Sequence, residues 1–556
     1  MTERAERSDL GGMQGRKDGQ GKLYYQFSLD RAVPEDNYYR RLKRELDLSW
    51  VRKETARFYG TEGHKSIDPE VFIKVLLVGY LNNIGSDRRL MQECSNRLDV
   101  RLFLGYDIDE ELPWHSTISR TRQLWGEDVF LRLFRQVLSM CVSKGMVRGR
   151  RQAMDAAPFK ANASMDSLLE KEIEDDVAAY ADEFDAGSEH RIKREEEPKA
   201  PRTGSGQARD GGDPGPTVNQ YRKRRVEAHH RWKEEAYKGQ PGGTSHTDEH
   251  GNLIRGRYLS NHTHHSPTDP DARISVKPGK ARQLNYHAQV AVDDAGHVIT
   301  CAMAVRADRR DSQVLPELVD ATMDNLSQYG LHLQQVLADA GYSSGAAMRH
   351  CQTKGIEAYI PTFGQYKPER EGFIYNEKEN RYECIQEGGH RAHLPFKKTE
   401  ANHDGHIMHK YRSSSKDCGT CPLRAACIGR SDFKTMTHSV DKDLYDTMYQ
   451  RMQADRGRRM MRRRSSTVEP VLGTLVNFTN MRRVNTRGLA GANKHVIMAA
   501  LTYNLKKYLA TPFKKVKVIP LEIRTVGNAL IKGLSGLFQA LFPHIWPTYF
   551  HLGRFS

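Results

Sequence analysis

Three acidic residues stand far apart in this chain: one inside an apolar run, one at the end of another, and one behind a run of arginines. Asp155 interrupts the strand-like run QAMDAAPF, with Ala153, Met154, Ala156 and Ala157 around it. Burying a carboxylate there is costly unless it is paired or holds an ion. Asp339 closes a second apolar run, Val336-Leu337-Ala338, just before Gly341, which permits a tight turn. Glu469 lies in RRRSSTVEPVLGTL, behind Arg462, Arg463 and Arg464. Val468, Val471, Leu472 and Leu475 recur at helical spacing, so one side of that segment is expected to be buried. Three carboxylates without an obligatory histidine or cysteine suit oxygen-preferring Mg2+, with Mn2+ as its substitute. Two such ions about 3.5–4 Å apart can activate a water or a 3′-hydroxyl and stabilise the leaving oxygen of a phosphodiester. That chemistry requires Asp155, Asp339 and Glu469 to converge in space. A plainer reading stays open for Glu469, because Ser466-x-x-Glu469 also fits a capping box at a helix start.

A second group has metal-ligand character. Cys418, Cys421 and Cys427 form a C-x2-C turn with a third cysteine six residues on, and Cys384 lies upstream. The set is compatible with a closed, structural Zn2+ site, with His403, His406 and His409 as rival fourth ligands. His262, His264 and His265 read as part of a polar loop, since nothing in their spacing fixes a geometry.

The elements that must position these groups are legible in outline. A net charge of +16 over 556 residues points to a polyanionic partner, nucleic acid before membrane. No apolar run reaches the length of a membrane span. Residues 1–20 are polar throughout and read as a disordered tail rather than a signal. Residues 21–148 carry helical patterns. Pro34-Glu35-Asp36 opens one helix, with Leu42 and Leu46. Asp68-Pro69 caps another, VFIKVLLVGYL, apolar nearly all round. A helix from Ser86 places Leu90 and Leu98 on one side. A longer one, from PWHSTISRTRQLWGE through Met140, offers Ser116, Ser119, Arg120 and Arg122 near its start. Short helices leading to one with a basic start suggest a helix-turn-helix-like DNA reader.

The strand signals at Asp155, at 286–292, at 297–305, at Val336 and at EAYIPT give a β-β-β-α-β-α-β order. A mixed α/β core is therefore expected from residues 149–162, 285–362 and 435–508, with insertions at 163–284 and 363–434 and a tail at 509–556. Lys160 and Asn162 follow at the end of the first strand. One helix, with Leu444, Met448 and Met452 on a face, is expected to lead into the arginine run. Seven arginines fall between Arg451 and Arg464 with only Asp455 against them. That density, with Arg482 and Arg483 beyond, suggests a path for a DNA strand into the acids, made of phosphate contacts that supply affinity and register.

Taken in order, FSLDRAVPEDNYYRRL, HSTISRTRQL, MDAAPFKANAS, YHAQVAV, ADAGY, CGTCPLRAAC and STVEPVLGTLVNF-x3-MRRVNTRGL give the chain a close likeness over residues 21–508. It resembles the DDE transposases of bacterial insertion sequences, in the branch related to the IS-four group. The resemblance implies an RNase H-like core whose acidic triad carries over to Asp155, Asp339 and Glu469. It further implies two Mg2+ ions, transposon-end and target DNA as partners, a homodimer in the active complex and a cytoplasmic, nucleoid-associated protein. Around the glutamate that group carries a tyrosine seven residues before, an arginine four before and a lysine seven after. Arg462, Ser465 and Val476 occupy those places here, with Arg463 or Arg464 as the stand-in for the arginine and nothing in place of the lysine. A transposase-derived DNA-binding protein without catalysis is the alternative; the intact acids favour the enzyme.

Overall fold

Asp68 and Pro69 start the helix around which the N-terminal region is built: the Asp68 carboxylate accepts the Glu70 N–H at 2.8 Å, and proline takes the first helical position. The structure is a computed structural model that describes residues 26–60, 62, 65–170, 261, 264–275, 283–364, 366–401 and 407–512. The expected tail at 1–20, most of the 163–284 insertion, His262, His403, His406 and the segment from 513 onward lie outside the described residues.

The α-helices before the first strand are α1 (Leu29–Ala32), α2 (Tyr38–Glu45), α3 (Val51–Thr55), α4 (Pro69–Leu81), α5 (Asp87–Asn96), α6 (Leu98–Leu104), α7 (His115–Leu124) and α8 (Glu127–Ser143). Helix α4 buries residues on every side, including Phe72, Ile73, Val75 and Leu77, which suits the centre of a helical cluster. Two expectations fail here. The helix expected to run on through Met140 breaks at Trp125 and Gly126, both extended. Trp125 turns inward, 1% exposed, edge-on to Phe72 at 4.6 Å, so burying the indole outweighs helical continuity. Leu98 does not share a face with Leu90, because the chain is extended at Arg97 and Leu98 opens α6 instead, 39% exposed.

The core sheet contains β1 (Arg151–Lys160), β4 (Arg273–Ser275), β5 (Gln283–Asp293), β6 (Ile299–Arg306), β7 (Gln335–Leu337) and β8 (Glu357–Tyr359). A separate two-residue pair, β2 (Leu169–Glu170) with β3 (His264–His265), places His264 and His265 in strand pairing rather than in a loop. In the core, β5 runs antiparallel to β1, and β6 antiparallel to β5. Strand β7 is parallel to β1, and β8 to β7. Helix α9 (Asp311–Ser327) joins β6 to β7, and α10 (Gly345–Thr353) joins β7 to β8. Ser344 caps α10 by accepting the Ala347 N–H at 3.1 Å.

A second sheet follows, in the order β13-β12-β11-β10-β9, all antiparallel. Its strands are β9 (Phe373–Asn376), β10 (Arg381–Cys384), β11 (His393–Ala401), β12 (Ile407–Arg412) and β13 (Thr435–Ser439). Between β12 and β13 lie two short helices, α11 (Ser415–Gly419) and α12 (Arg424–Cys427). This sheet has a small core of its own: Phe373, Tyr382, Leu394, Tyr411 and Met436.

The chain then returns to the main core through α13 (Lys442–Gln453), α14 (Asp455–Phe478) and α15 (Leu489–Ala510). The single helix expected into the arginine run is interrupted at Ala454, whose ψ is 154°. Gly457 makes the resulting corner feasible, since a Cβ there would meet the Arg451 carbonyl oxygen at 2.3 Å. Helix α15 is buried along most of its length and receives the N-terminal helices. The Tyr80 hydroxyl meets His495 Nδ1 at 2.7 Å, and Lys494 Nζ donates to the Arg122 carbonyl at 3.2 Å. Nearby, Asn83 Nδ2 donates to the Asn477 carbonyl at 3.0 Å, and its Oδ1 accepts the Asn480 N–H at 2.8 Å. Among the described residues no helix is long and apolar enough to cross a membrane.

Candidate active site

The parallel register of β1 and β7 pairs Ala153 with Leu337, so Asp155 and Asp339 each lie two residues past that pair and stand level on neighbouring strands. Asp339 marks where the chain leaves β7. Its side chain accepts the Gly341 N–H at 3.0 Å and starts a tight turn through Ala340–Tyr342. Glu469 arrives from α14, whose Val468, Val471, Leu472 and Leu475 are all buried. The helix begins at Asp455, so Ser466 lies well inside it. Its hydroxyl donates back to the Arg463 carbonyl at 3.0 Å, and the capping-box reading of Glu469 is overturned.

All three acids approach one side chain, Arg464. Its Nη2 lies 2.7 Å from Asp155 Oδ2 and 3.8 Å from Asp339 Oδ2, and its Nη1 lies 3.5 Å from Glu469 Oε1. The Arg464 side chain is 9% exposed and that of Asp155 15%, whereas Asp339 and Glu469 are 46% and 59% exposed. One acid thus forms the floor and two form an open rim. Burial pushes the Asp155 carboxyl up to about 6, against the lowering influence of Arg464 and the Ala156 N–H; Asp339 and Asp311 raise it further.

Asp311, Gln289 and Tyr342 also belong to this neighbourhood, and sequence reasoning missed them. Asp311 opens α9, and its Oδ1 accepts from Gln289 Nε2 at 2.6 Å. Gln289 Oε1 in turn accepts the hydroxyl of the fully buried Tyr342. A carboxylate at the first residue of a helix reads as a capping element, and nothing in its local spacing ties it to Asp155.

The basic residues separate into distinct groups. Arg464 belongs to the acid cluster and is buried, so it does not line an exposed strand path. Arg463 Nε pairs with Asp294 at 3.0 Å, and Asp294 also holds Arg151 at 2.6 Å, which ties α14 to the β5–β6 turn. Arg456 pairs with Glu357 at 2.8 Å, Arg458 with Asp455 at 2.6 Å, and Arg451 donates to the Ala358 carbonyl at 2.8 Å. The seven arginines expected to have only Asp455 against them are therefore better matched than their spacing implies, since Glu357, Asp294 and the acid cluster also pair with them. Arg462, Arg482 and Arg483 remain exposed. Arg482 and Arg483 bond only neutral oxygens in the described contacts, of Asn477 at 2.6 Å and Asn162 at 3.3 Å. Their loop is fastened to the end of β1, where Lys160 N–H donates to the Arg482 carbonyl at 2.9 Å and Val484 N–H donates to the Lys160 carbonyl at 3.0 Å.

On α7, Ser116 and Ser119 are half-buried and Arg120 is exposed, with Arg120 donating to the Ser116 hydroxyl at 3.0 Å. Arg122 differs. It is buried and bidentate to Asp87, at 2.9 and 2.7 Å, so it fastens α7 to α5 and is not presented to a base edge.

The donor set around Arg464 fits Mg2+ by its chemistry, being carboxylate oxygen throughout. As they stand, those oxygens grip a guanidinium. Among the described residues no three His, Cys, Asp or Glu side chains lie close enough together to share an ion. Cys384, Cys418, Cys421 and Cys427 likewise form no such group among the described residues. Cys384 ends β10, the other three sit on or beside the short helices α11 and α12, and Cys384 and Cys427 pack against the core of the second sheet. The Cys421 sulfur instead accepts the His390 N–H at 3.4 Å, and His409 meets Thr399 Oγ1 at 2.9 Å.

Two regions match known families. Residues 27–124 match a transposase domain (DUF772), and residues 388–509 match a transposase DDE domain. The second match contains Arg464 and Glu469; Asp155 and Asp339 lie outside both. No curated protein matches the chain.

Proposed function

We propose that this chain, an insertion-sequence DDE transposase by its two domain matches, binds the terminal inverted repeats of its element and cuts and rejoins DNA there with Asp155, Asp339 and Glu469. The observation that carries the reading is the meeting of three carboxylates, from β1, the end of β7 and α14, around one guanidinium. An RNase H-like core is supported by β1, β5, β6, α9, β7, α10 and β8, which follow one another in β-β-β-α-β-α-β order with antiparallel, antiparallel, parallel and parallel pairings. From within the expected insertion, β4 adds a short antiparallel strand beside the start of β5. The branch within the family rests on the motif resemblance alone.

Bound Mg2+ ions would supply activation of a water or 3′-hydroxyl and neutralisation of charge at the phosphodiester. The chain's own residues do the rest. Asp155 is held rigid in the sheet, while Asp339 and Glu469 face the side from which a DNA strand can arrive. Arg462, Arg482 and Arg483 offer unmatched positive charge to phosphates. The helical region at 21–148 would read the repeats with Ser116, Ser119 and Arg120, and two copies would act together on paired ends.

The test is cleavage of a duplex carrying the element's terminal repeat, with Mg2+ or Mn2+, by the full chain and by Asp155→Asn, Asp339→Asn and Glu469→Gln. Each variant should bind the repeat and fail to cut it. Repeat binding by the unaltered chain with no metal-dependent cleavage would favour a DNA-binding derivative instead.

A further inference from the structure

We propose that the Arg464 guanidinium competes with divalent ions for the three carboxylates, and that such ions enter only as it gives those carboxylates up. This rests on the reading that the three acids are the metal ligands.

The argument begins with position. The guanidinium lies within 3.8 Å of carboxylate oxygens from three separate elements. Its connections are also incomplete for a structural arginine. A guanidinium carries five N–H donors, yet in the described contacts Arg464 makes one hydrogen bond, Nη2 to Asp155 at 2.7 Å. Its Nε is buried without a hydrogen-bond partner. Buried donors left unmade are uncommon and costly, so a group built only to fasten α14 to β1 would be better satisfied. Arg122 supplies the contrast within the same molecule: equally buried, it spends both terminal nitrogens on one carboxylate, at 2.9 and 2.7 Å.

Charge gives the direction. Three carboxylates against one guanidinium leave the cluster net negative, so it still attracts cations. A fixed positive charge a few ångströms away opposes their entry, and in a partly buried site that opposition is poorly screened. The side chain is long and its helix presents it beside the open rim formed by Asp339 and Glu469, so it has a route outward. Displacement by metal is then an exchange of cations that leaves the acids paired at every stage.

The experiment is Mn2+ binding to the full-length protein stripped with EDTA, read from the signal of free Mn2+ in electron paramagnetic resonance, with no DNA present. Arg464→Gln should bind Mn2+ about tenfold or more tightly than the unaltered chain. Arg464→Lys, which keeps a point charge without the planar fork, should fall between the two and decides the matter if Arg464→Gln does not fold. Arg456→Gln, on the same helix but paired with Glu357, should leave the affinity unchanged. Equal or weaker Mn2+ binding by the Arg464 variants overturns the exchange, since an arginine that only positions the acids would lose ions when removed. Asp155→Asn and Glu469→Gln separate the two levels. If neither lowers Mn2+ binding by the unaltered chain, the metal-site reading itself fails. If both do and the Arg464 variants change nothing, only the exchange fails.

Discussion

Asp155 and Glu469 are separated by more than three hundred residues and touch the same guanidinium, whereas Cys418, Cys421 and Cys427 fall within ten residues of one another and share no ion-sized centre among the described residues. The difference lies in what stands behind each set. Behind the acids are two strands in fixed parallel register and a helix seated on the sheet by four buried aliphatic side chains. The cysteines lie mainly on helices of five and four residues with no fully buried residue, and of the three only Cys427 packs against the five-residue core of the neighbouring sheet. Proximity in the chain places side chains in one neighbourhood; packed elements on both sides are what aim them at one point.

The largest contrast between the two regions should be catalytic. Asp155→Asn should lower cleavage of the terminal-repeat duplex by at least about a thousandfold, the equivalent of several kcal/mol at the transition state. The double change Cys418→Ser, Cys421→Ser should leave it within about twofold. Elemental analysis of both proteins tests the contrast from the other side. A stoichiometric zinc that departs with the cysteines would break it, because spacing alone would then have located a site.

Next in size is stability. Val471→Ala on α14 and Leu394→Ala in the second sheet both delete fully or nearly fully buried methyl groups, with Leu394 at 0% and Val471 at 1% exposed. The leucine change should cost about 2–5 kcal/mol and the smaller valine change somewhat less. The location of the damage should differ. Because the second sheet has a separate core, Leu394→Ala should raise hydrogen exchange in β9–β13 and spare the acid cluster. Val471→Ala should loosen α14 and impair cleavage as well. Exchange that rises throughout the chain in both variants would mean the sheet and the core unfold as one unit.

Acid should weaken the second sheet. Burial is the leading cause that lowers His438 from its ordinary value of 6.5 to about 4, with nearby Lys442 and His409 adding to it. The imidazole is held by the Tyr382 hydroxyl at 2.8 Å and the Tyr411 hydroxyl at 3.2 Å. A group held neutral in the fold gives stability that is whole above about pH 6.5 and declines as pH falls from there toward about 4. Protection of β11 and β12 should therefore weaken over that window, and His438→Gln should flatten the response. An equal slope in the variant would assign the acid sensitivity to other groups.

How much of this could be read from the residues depended on whether a position obeys a periodic rule. The buried face at Val468, Val471, Leu472 and Leu475, the cap at Asp68-Pro69 and five of the six core strands follow from spacing, and spacing is a property of the chain alone. Three-residue β4, at Arg273–Ser275, is too short to show a period. The corners at Trp125 and Ala454 do not. Each depends on a tertiary gain, an indole packed against Phe72 or a glycine pressed to the Arg451 carbonyl. Arginine was the least legible residue type. Arg122, Arg464 and Arg482 look alike in the chain, yet the first holds a helix, the second fills the acid cluster and the third faces solvent. What separates them is the carboxylate that tertiary structure brings near, which local sequence does not contain.

The smallest expected effect concerns the arginines left over once those carboxylates are assigned. Arg482 and Arg483 lie on a loop zipped to the end of β1, five residues from Asp155 at Lys160 and hence roughly 17 Å along the strand. That distance would span a few phosphates of a duplex bound with its scissile group over the acids, as proposed above. Their described partners are neutral, so their charge is available, whereas Arg463 is already matched by Asp294. Arg482→Ala with Arg483→Ala should weaken binding to repeat and random duplexes by similar factors and reduce the salt dependence by roughly one to two units of slope. Arg463→Ala should reduce the slope less, since freeing Asp294 adds back a negative charge as the positive one is lost. Selectivity for the repeat should decline instead when Arg120 is changed, because a contact on the exposed face of α7 can reach a base edge and a phosphate contact cannot choose among sequences. If the paired arginine change lowers only repeat binding, the loop is reading bases, and the division drawn between charge spent inside the fold and charge offered to DNA is in the wrong place.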